Sequence, residues 1–176
     1  WMAVVWMILA VPFFWWGCRL LRMEWRISAI IMIGLAVLRS LLNDLPVYRT
    51  TAFVPLFNQL SLPVLLTAGL LLALRPILIR YDAVLYMDEK HIKPISGLTA
   101  LAMILLILSL DTYQFCVVQF PEYSLLPHAV LSVVWSLYGA LLLGIGFWKQ
   151  LATLRWSAIV IFGLTLAKVL LVDLSW

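Results

Sequence analysis

Charged side chains are scarce in this chain. Asp, Glu, Lys and Arg together make up 11% of its 176 residues, whereas soluble domains carry about a quarter. Apolar residues account for 65% of the sequence, and its mean hydropathy is +1.09. Most of the 12 Lys and Arg residues lie between apolar runs, and they form no basic patch. This composition excludes a soluble globular domain and gives no sign of nucleic-acid binding.

Several catalytic motifs are also missing. The sequence has no glycine-rich loop followed by Lys and Ser or Thr, no HExxH, no GxSxG and no CxxC. Its two cysteines, Cys18 and Cys116, are predicted at opposite membrane faces and cannot pair with each other. His91 and His128 are predicted on opposite faces as well. We therefore expect no metal site and no cofactor in this segment, and ATP-driven chemistry is not expected.

Long apolar runs are what the chain does contain. A helix needs about 20 such residues to cross a bilayer, and 176 residues allow six crossings with short loops. The sequence predicts an all-α, polytopic transmembrane helix bundle that forms a single domain over residues 1–176. The six predicted spans are Met2–Gly17, Ile27–Leu42, Pro55–Leu74, Ile95–Gln114, His128–Phe147 and Trp156–Val172.

The basic residues between spans predict the orientation of the bundle. They are concentrated in alternate loops, and the loops on the other side hold only Arg49. Cytoplasmic loops carry an excess of Lys and Arg, so we expect both ends of this segment outside. Because the chain opens on Trp1 and its last apolar run stops at its end, we expect a fragment of a longer protein. The loop residues are Arg19, Arg22 and Arg26, then Arg75, Arg80, Lys90 and Lys93, and finally Lys149 and Arg155.

The sequence resembles itself when Trp6 is aligned with Trp135. The same alignment places Arg39 on Lys168. This repeat alignment predicts a duplicated helix hairpin with copies at about 6–45 and 135–174, in the same orientation, as in the parallel repeats of some transporters. Further identities are Gly17 with Gly146, Ser28-Ala29-Ile30 with Ser157-Ala158-Ile159, Gly34-Leu35 with Gly163-Leu164, and Asp44-Leu45 with Asp173-Leu174.

Five charged residues are expected to meet near the outer membrane boundary. Arg39 and Lys168 lie inside apolar runs, where a charge is costly unless it is paired, solvated or able to reach the interface. Asp44 and Asp173 follow shortly after them, and Asp111 is predicted at the end of the fourth span. Two hypotheses stay open: a set of structural ion pairs, or an outward-facing polar pocket that holds an anionic group or relays protons.

Three functions fit these features. The first is a transporter or cell-envelope-associated protein with an outward-facing polar cluster. The second is a membrane enzyme acting on a lipid-linked or phosphate-bearing substrate at the outer leaflet. The third is a non-catalytic scaffold whose small-residue stripes, such as Ser132, Ser136, Ala140 and Gly144, bind partner helices. Expected partners are the lipid bilayer, other helices of a longer parent chain and a membrane partner protein.

The C-terminal part of the chain carries a family resemblance. Trp135-Ser-Leu-Tyr138 opens a span and Gly144-Ile-Gly146 closes it, and Lys168-Val-Leu-Leu-Val-Asp173 is the most specific stretch. With the spacing of Pro55-Leu-Phe-Asn58, these motifs resemble the bacterial predicted membrane proteins labelled domain of unknown function 2339. The resemblance implies a bacterial inner-membrane location and a longer chain of many repeated spans. It implies no particular activity.

Overall fold

The structure, a computed structural model, describes residues 1–40, 61–81, 92–123 and 125–173, with only the backbone of residues 92, 93, 172 and 173. These residues form six α-helices and a π-helical segment, and none of them is in a β-strand. The helices are α1 (Met2–Arg19), α2 (Met23–Arg39), α3 (Ser61–Arg80), α4 (Ile92–Gln119), α5 (Leu126–Trp148) and α6 (Ala152–Lys168). The π-helical segment Val169–Asp173 follows α6 directly.

The helices confirm the predicted all-helical membrane bundle. Among the described residues, five are long and apolar enough to cross a bilayer: α1, α3, α4, α5, and α6 together with the first residues of the π-helical segment. Helix α2 has 17 residues and carries Glu24 and Arg26 near its start. Large apolar side chains remain exposed along all six helices, as is usual where lipid is the solvent.

Two helices run further than the apolar runs predicted. Helix α3 continues past Leu74 through Pro76 to Arg80, because a proline removes only one backbone donor and its ring disturbs only the preceding turn. Helix α4 continues past Gln114 to Gln119, so Asp111 lies inside its helix and does not end it. Polar residues inside a run do not stop a helix whose backbone bonds are all internal.

The chain divides into two compact units. The first contains α1, α2, α3 and α4 up to Ile104, and α1 packs against both α2 and α3 there. Its core includes Met7 and Phe14 of α1 and Leu71 of α3. The second contains α4 from Leu105, then α5, α6 and the π-helical segment, with α5 packed on α6. Leu142 of α5 and Ala158 of α6 are buried.

Each unit contains one tight helix hairpin, α1–α2 in the first and α5–α6 in the second. In the α1–α2 turn, the Leu20 and Arg22 amides donate to the carbonyls of Trp16 (2.9 Å) and Gly17 (3.1 Å). Leu21 between them has φ 55°. This arrangement of a left-handed residue and a six-to-one hydrogen bond is a Schellman-type helix end.

The α5–α6 turn has the same geometry at the positions that the repeat alignment pairs with the first turn. The Lys149 and Leu151 amides donate to the carbonyls of Ile145 (2.8 Å) and Gly146 (2.9 Å). Gln150 has φ 52°. The helices on both sides match as well, because α2 and α6 have 17 residues each and begin at Met23 and Ala152.

In both turns a glycine lets the second helix approach the first. A Cβ atom on Gly17 would lie 2.8 Å from Arg26 Cγ and 3.0 Å from the Arg26 backbone nitrogen. A Cβ atom on Gly146 would lie 2.9 Å and 3.1 Å from the same atoms of Arg155. Arg26 and Arg155 therefore belong to the first turns of α2 and α6, against the turn glycines, and are not loop residues as the sequence indicated.

Several positions of the small-residue stripes do not mediate packing within the described residues. A Cβ atom on Gly69, Gly144 or Gly163 would have no neighbouring atom within 4 Å. Ala140 is exposed. Close helix approach occurs instead at Gly17, Gly139 and Gly146.

Candidate functional site at the end of α6

Lys168 is the last residue of α6, and its half-buried side chain reaches the start of α5. Its Nζ donates one hydrogen bond to the backbone carbonyl of His128 and another to Ser132 Oγ, each 2.8 Å long. An antiparallel hairpin places the end of its second helix beside the beginning of its first. The ammonium thus uses two of its three donors on neutral oxygens of the neighbouring helix.

Ser132 is oriented to accept this hydrogen bond. Its hydroxyl donates to the His128 carbonyl at 3.1 Å, which turns an oxygen lone pair towards Lys168. One turn further into α5, the Ser136 hydroxyl donates to the Ser132 carbonyl at 2.9 Å. The His128 carbonyl accepts from both side chains, so Lys168, Ser132 and His128 form a triangle of hydrogen bonds.

Helix α4 supports this end of α5 from another side. The ring of Tyr113 meets the ring of His128 edge-on, with centroids 5.9 Å apart and planes at 66°. Ser109 Oγ accepts a 2.7 Å hydrogen bond from the Trp135 indole and donates to the Leu105 carbonyl at 2.6 Å. These contacts hold α4 and α5 together beside the Lys168 site.

Asp111 lies on α4 between the two residues that contact α5. Its side chain is 3% exposed. At 3.6 residues per turn, Asp111 is roughly on the opposite side of α4 from Ser109 and Tyr113. It therefore shares a helix with the contacts around His128 but faces away from them.

The backbone changes from α-helical to π-helical immediately after Lys168. Asp173 is the last residue of this π-helical segment, and its side chain lies outside the described residues. In the first unit, Ser40 is also π-helical and directly follows Arg39. Single π-helical turns are rare and often occur at functional sites. Both basic residues predicted as site residues thus stand at the same kind of backbone transition.

The structure describes part of the predicted five-residue cluster. Lys168 and Asp111 belong to the second unit, as does the backbone of Asp173. Arg39 belongs to the first unit, where it is exposed at the end of α2, and Asp44 lies outside the described residues. Two hydrogen bonds of Lys168 are to the His128 carbonyl and the Ser132 hydroxyl, and its predicted pairing with aspartates stays a prediction. The meeting of all five charges stays a prediction.

His128 and Ser132 were not predicted as partners of Lys168. The sequence spacing could have predicted the contact between Ser132 and Lys168, because Gln150 stands midway between these two residues. In a tight antiparallel hairpin, residues at equal distances from the turn lie side by side. The turn contacts of Arg26 and Arg155 were missed too, although the repeat alignment pairs these two arginines with each other.

No metal centre is evident in the part of the chain that the structure describes. Its His, Cys, Asp and Glu residues form no group of three or more that could hold a metal ion. Cys18 and Cys116 are both buried, and neither forms a disulfide within the described residues. The groups that the structure places at the Lys168 site are an ammonium, a hydroxyl and a backbone carbonyl.

Comparison with known proteins identifies the family. Residues 39–176 match the family model described as a predicted membrane protein, DUF2339. No curated protein and no solved structure matches the chain. The matched region begins at Arg39 and contains the whole Lys168 site. Because it covers well over half of the chain, this protein belongs to the DUF2339 family of predicted membrane proteins.

Proposed function

We propose that this protein transports a small anionic solute across the membrane and that Lys168 binds the anionic group. The observation that carries the proposal is the Lys168 ammonium, half-buried at the end of an apolar helix and hydrogen-bonded to the His128 carbonyl and Ser132 hydroxyl. An ionisable residue within a membrane segment is costly and commonly marks the path of a substrate or ion.

The surroundings of Lys168 favour an anion over a cation. His128 is in the first turn of α5, where the aligned peptide dipoles give the helix end a partial positive charge. Lys168 brings a full positive charge to the same place. A phosphate or carboxylate group would gain from both charges, and Ser132 adds a hydroxyl beside them.

The placement of the site in the cell is part of the proposal. We propose a bacterial inner-membrane location, and the Arg and Lys residues at the hairpin turns support a cytoplasmic position for those turns. Lys168, at the far end of its hairpin, would then open to the outside. Asp173, Arg39 and Asp44 would complete an outward-facing polar cluster, whereas Asp111, on the other side of α4, is left out of it.

We further propose that the two hairpins are copies of one duplicated unit, at about 6–45 and 135–174. The matched turns support this origin, since their left-handed residues, hydrogen bonds and glycine contacts recur at the positions that the repeat alignment pairs. The Ser28 and Ser157 hydroxyls also bond to equivalent backbone carbonyls, those of Glu24 and Thr153. Duplicated units in one orientation are a known architecture of transporters.

The test uses a thiol beside Lys168 as a reporter of anion binding. The S132C variant, in a background without Cys18 and Cys116, is treated in intact cells with a membrane-impermeant thiol reagent. We expect labelling, and we expect slower labelling when inorganic phosphate, sulfate or acetate is added. Adding K168M should abolish this protection. S136C, one turn further along α5, measures how deep water reaches, and L125C in the exposed loop is the positive control.

A measurement of anion flux distinguishes a transporter from a protein that only binds the anion. The protecting anion should enter proteoliposomes containing the intact protein, and K168M should abolish that entry. S132C that stays unlabelled while L125C reacts would show a site sealed from water and overturn the proposal. Protection without flux would show an anion-binding protein that does not transport, which also contradicts the proposed function.

A further inference from the structure

The α1–α2 hairpin carries an aromatic groove that the proposed transport site does not use. The rings of Phe13 and Trp25 are stacked across the hairpin, with centroids 5.1 Å apart and planes at 25°. Two concavities share this ring pair. One, of about 340 Å³, is also lined by Glu24 and Ser28, and the other, of about 270 Å³, by Pro12 and Trp16.

The two concavities differ in polarity. Glu24 and Ser28 are one helical turn apart on α2 and supply a carboxylate and a hydroxyl. Pro12 and Trp16 are one turn apart on α1, and their concavity is entirely apolar. Together they form one groove, polar on the α2 side and apolar on the α1 side, with the stacked rings between. A groove that is polar on one side and apolar on the other matches an amphiphile.

The position of the groove along the hairpin limits the kinds of molecule that could bind in it. It lies within the last turns of α1 and the first turns of α2, next to Arg19 and Arg22. Tryptophan and arginine near a helix end are typical of the membrane–water interface. Trp25 is 41% exposed and Trp16 is 54% exposed, so both indoles are open to whatever occupies the groove.

We propose that this groove binds a zwitterionic phospholipid, with the headgroup ammonium beside Glu24 and the Trp25 ring. Aromatic faces attract cations, and the Glu24 carboxylate adds a full opposite charge. Arg22, the residue directly before α2, would bind the phosphate. Arg19 is already engaged, because its guanidinium lies 5.5 Å from the centroid of the Trp15 ring. The acyl chains follow the apolar side past Pro12 and Trp16.

The second hairpin provides a natural contrast. At the positions paired by the repeat alignment, Phe13 and Trp25 are replaced by Leu142 and Leu154, and Glu24 by Thr153. Leu142 and Leu154 are buried and the hairpin turn is the same. The hairpin turn therefore forms without the aromatic pair or the acid, so these residues are available for binding.

Native mass spectrometry of the intact, delipidated protein tests this proposal. The protein is mixed with equal amounts of phosphatidylethanolamine and phosphatidylglycerol that have identical acyl chains. We expect phosphatidylethanolamine to be retained preferentially. E24Q, a change at an exposed residue, should lower this preference about threefold through the lost attraction for the ammonium, whereas T153A at the matched position should leave it unchanged.

A second variant tests the aromatic part of the groove. F13L/W25L introduces the residues of the second hairpin and should lower retention of phosphatidylethanolamine without changing that of phosphatidylglycerol. Its thermal unfolding midpoint, compared with that of the parent protein, reports whether the hairpin still folds. Equal retention of both lipids, or an E24Q preference like that of the parent, would overturn the proposal. The proposal would also be overturned if the parent protein formed a dimer that the single variant W25L dissociates. The groove would then bind a second copy of the chain and not a lipid.

Discussion

The two hairpins share their turns and differ at their open ends. At the turns, Gly17 and Gly146 contact Arg26 and Arg155 in the same way. At the open ends, Lys168 bonds to Ser132, but Ala3 occupies the position equivalent to Ser132 in the first hairpin, opposite Arg39. Arg39 is exposed, whereas Lys168 is half-buried. The turn glycines and the arginines packed against them are the same in both hairpins, whereas the residues at the open ends have diverged.

The turn glycines provide the largest expected effect. G17A and G146A each place a methyl group about 3 Å from a backbone nitrogen of the next helix. Backbone cannot rotate away as a side chain can, so each change should lower the free energy of unfolding by up to about 3 kcal/mol. Unfolding in detergent with increasing dodecyl sulfate measures this. G163A, which meets no atom within 4 Å, is the control. A loss in only one hairpin would break the equivalence of the turns.

The basic residues at the open ends sharpen the contrast. K168M removes the donor for His128 and Ser132 and should cost about 1–2 kcal/mol of unfolding free energy. R39M changes an exposed side chain and should stay within about 0.5 kcal/mol. The same dodecyl sulfate titration compares the two variants. Equal losses would mean that the first hairpin holds Arg39 as firmly as the second holds Lys168.

The tryptophans Trp6 and Trp135 occupy equivalent positions but differ in their contacts. Trp135 donates to Ser109 Oγ at 2.7 Å, while the described residues offer no hydrogen-bond partner to the Trp6 indole. W135F should cost about 1 kcal/mol, and W6F less than about 0.5 kcal/mol. A double-mutant cycle of W135F with S109A measures the coupling. Additive losses would show that the hydrogen bond contributes nothing.

The left-handed turn residues give the smallest expected effect. Leu21 and Gln150 adopt φ values of 55° and 52°, a conformation that costs L-residues about 1–2 kcal/mol. L21G and Q150G relieve this strain but add freedom to the unfolded chain, so a gain of a few tenths of a kcal/mol remains. Leu21 is 70% exposed, and its removal loses little burial. Thermal unfolding midpoints should rise slightly in both variants, and a fall in either would show that the side chain itself matters.

The helices could be predicted from the sequence because the apolar runs are long and bounded by charges. The apolar runs indicated α5 and α6 to within a few residues, since an apolar helix in lipid depends on length and composition. Helix ends were less predictable, because Pro76 and Asp111 look like boundaries and yet lie inside α3 and α4.

The candidate site could be predicted only in part. Lys168 was identified because a charge inside an apolar run is costly. Its partners were missed because one is a backbone carbonyl, which has no sequence signature, and the other is Ser132, which resembles an ordinary packing residue. Residues at equal distances from a hairpin turn can be predicted to be neighbours, but only once the turn is located. Here the left-handed residue of the turn is Gln150, which does not mark a turn in the sequence as a glycine would.

The length of the turn at Gln150 determines which residues lie side by side at the opposite end of the hairpin. Gln150 is equally far along the sequence from Ser132 and from Lys168, and each stretch spans about 27 Å as a helix. Inserting or deleting one residue in the turn would move Lys168 by about 1.5 Å along α6 and about 100° around it. The lysine would then point into lipid instead of towards α5. Loop length at one membrane face therefore sets whether a charge is available at the other.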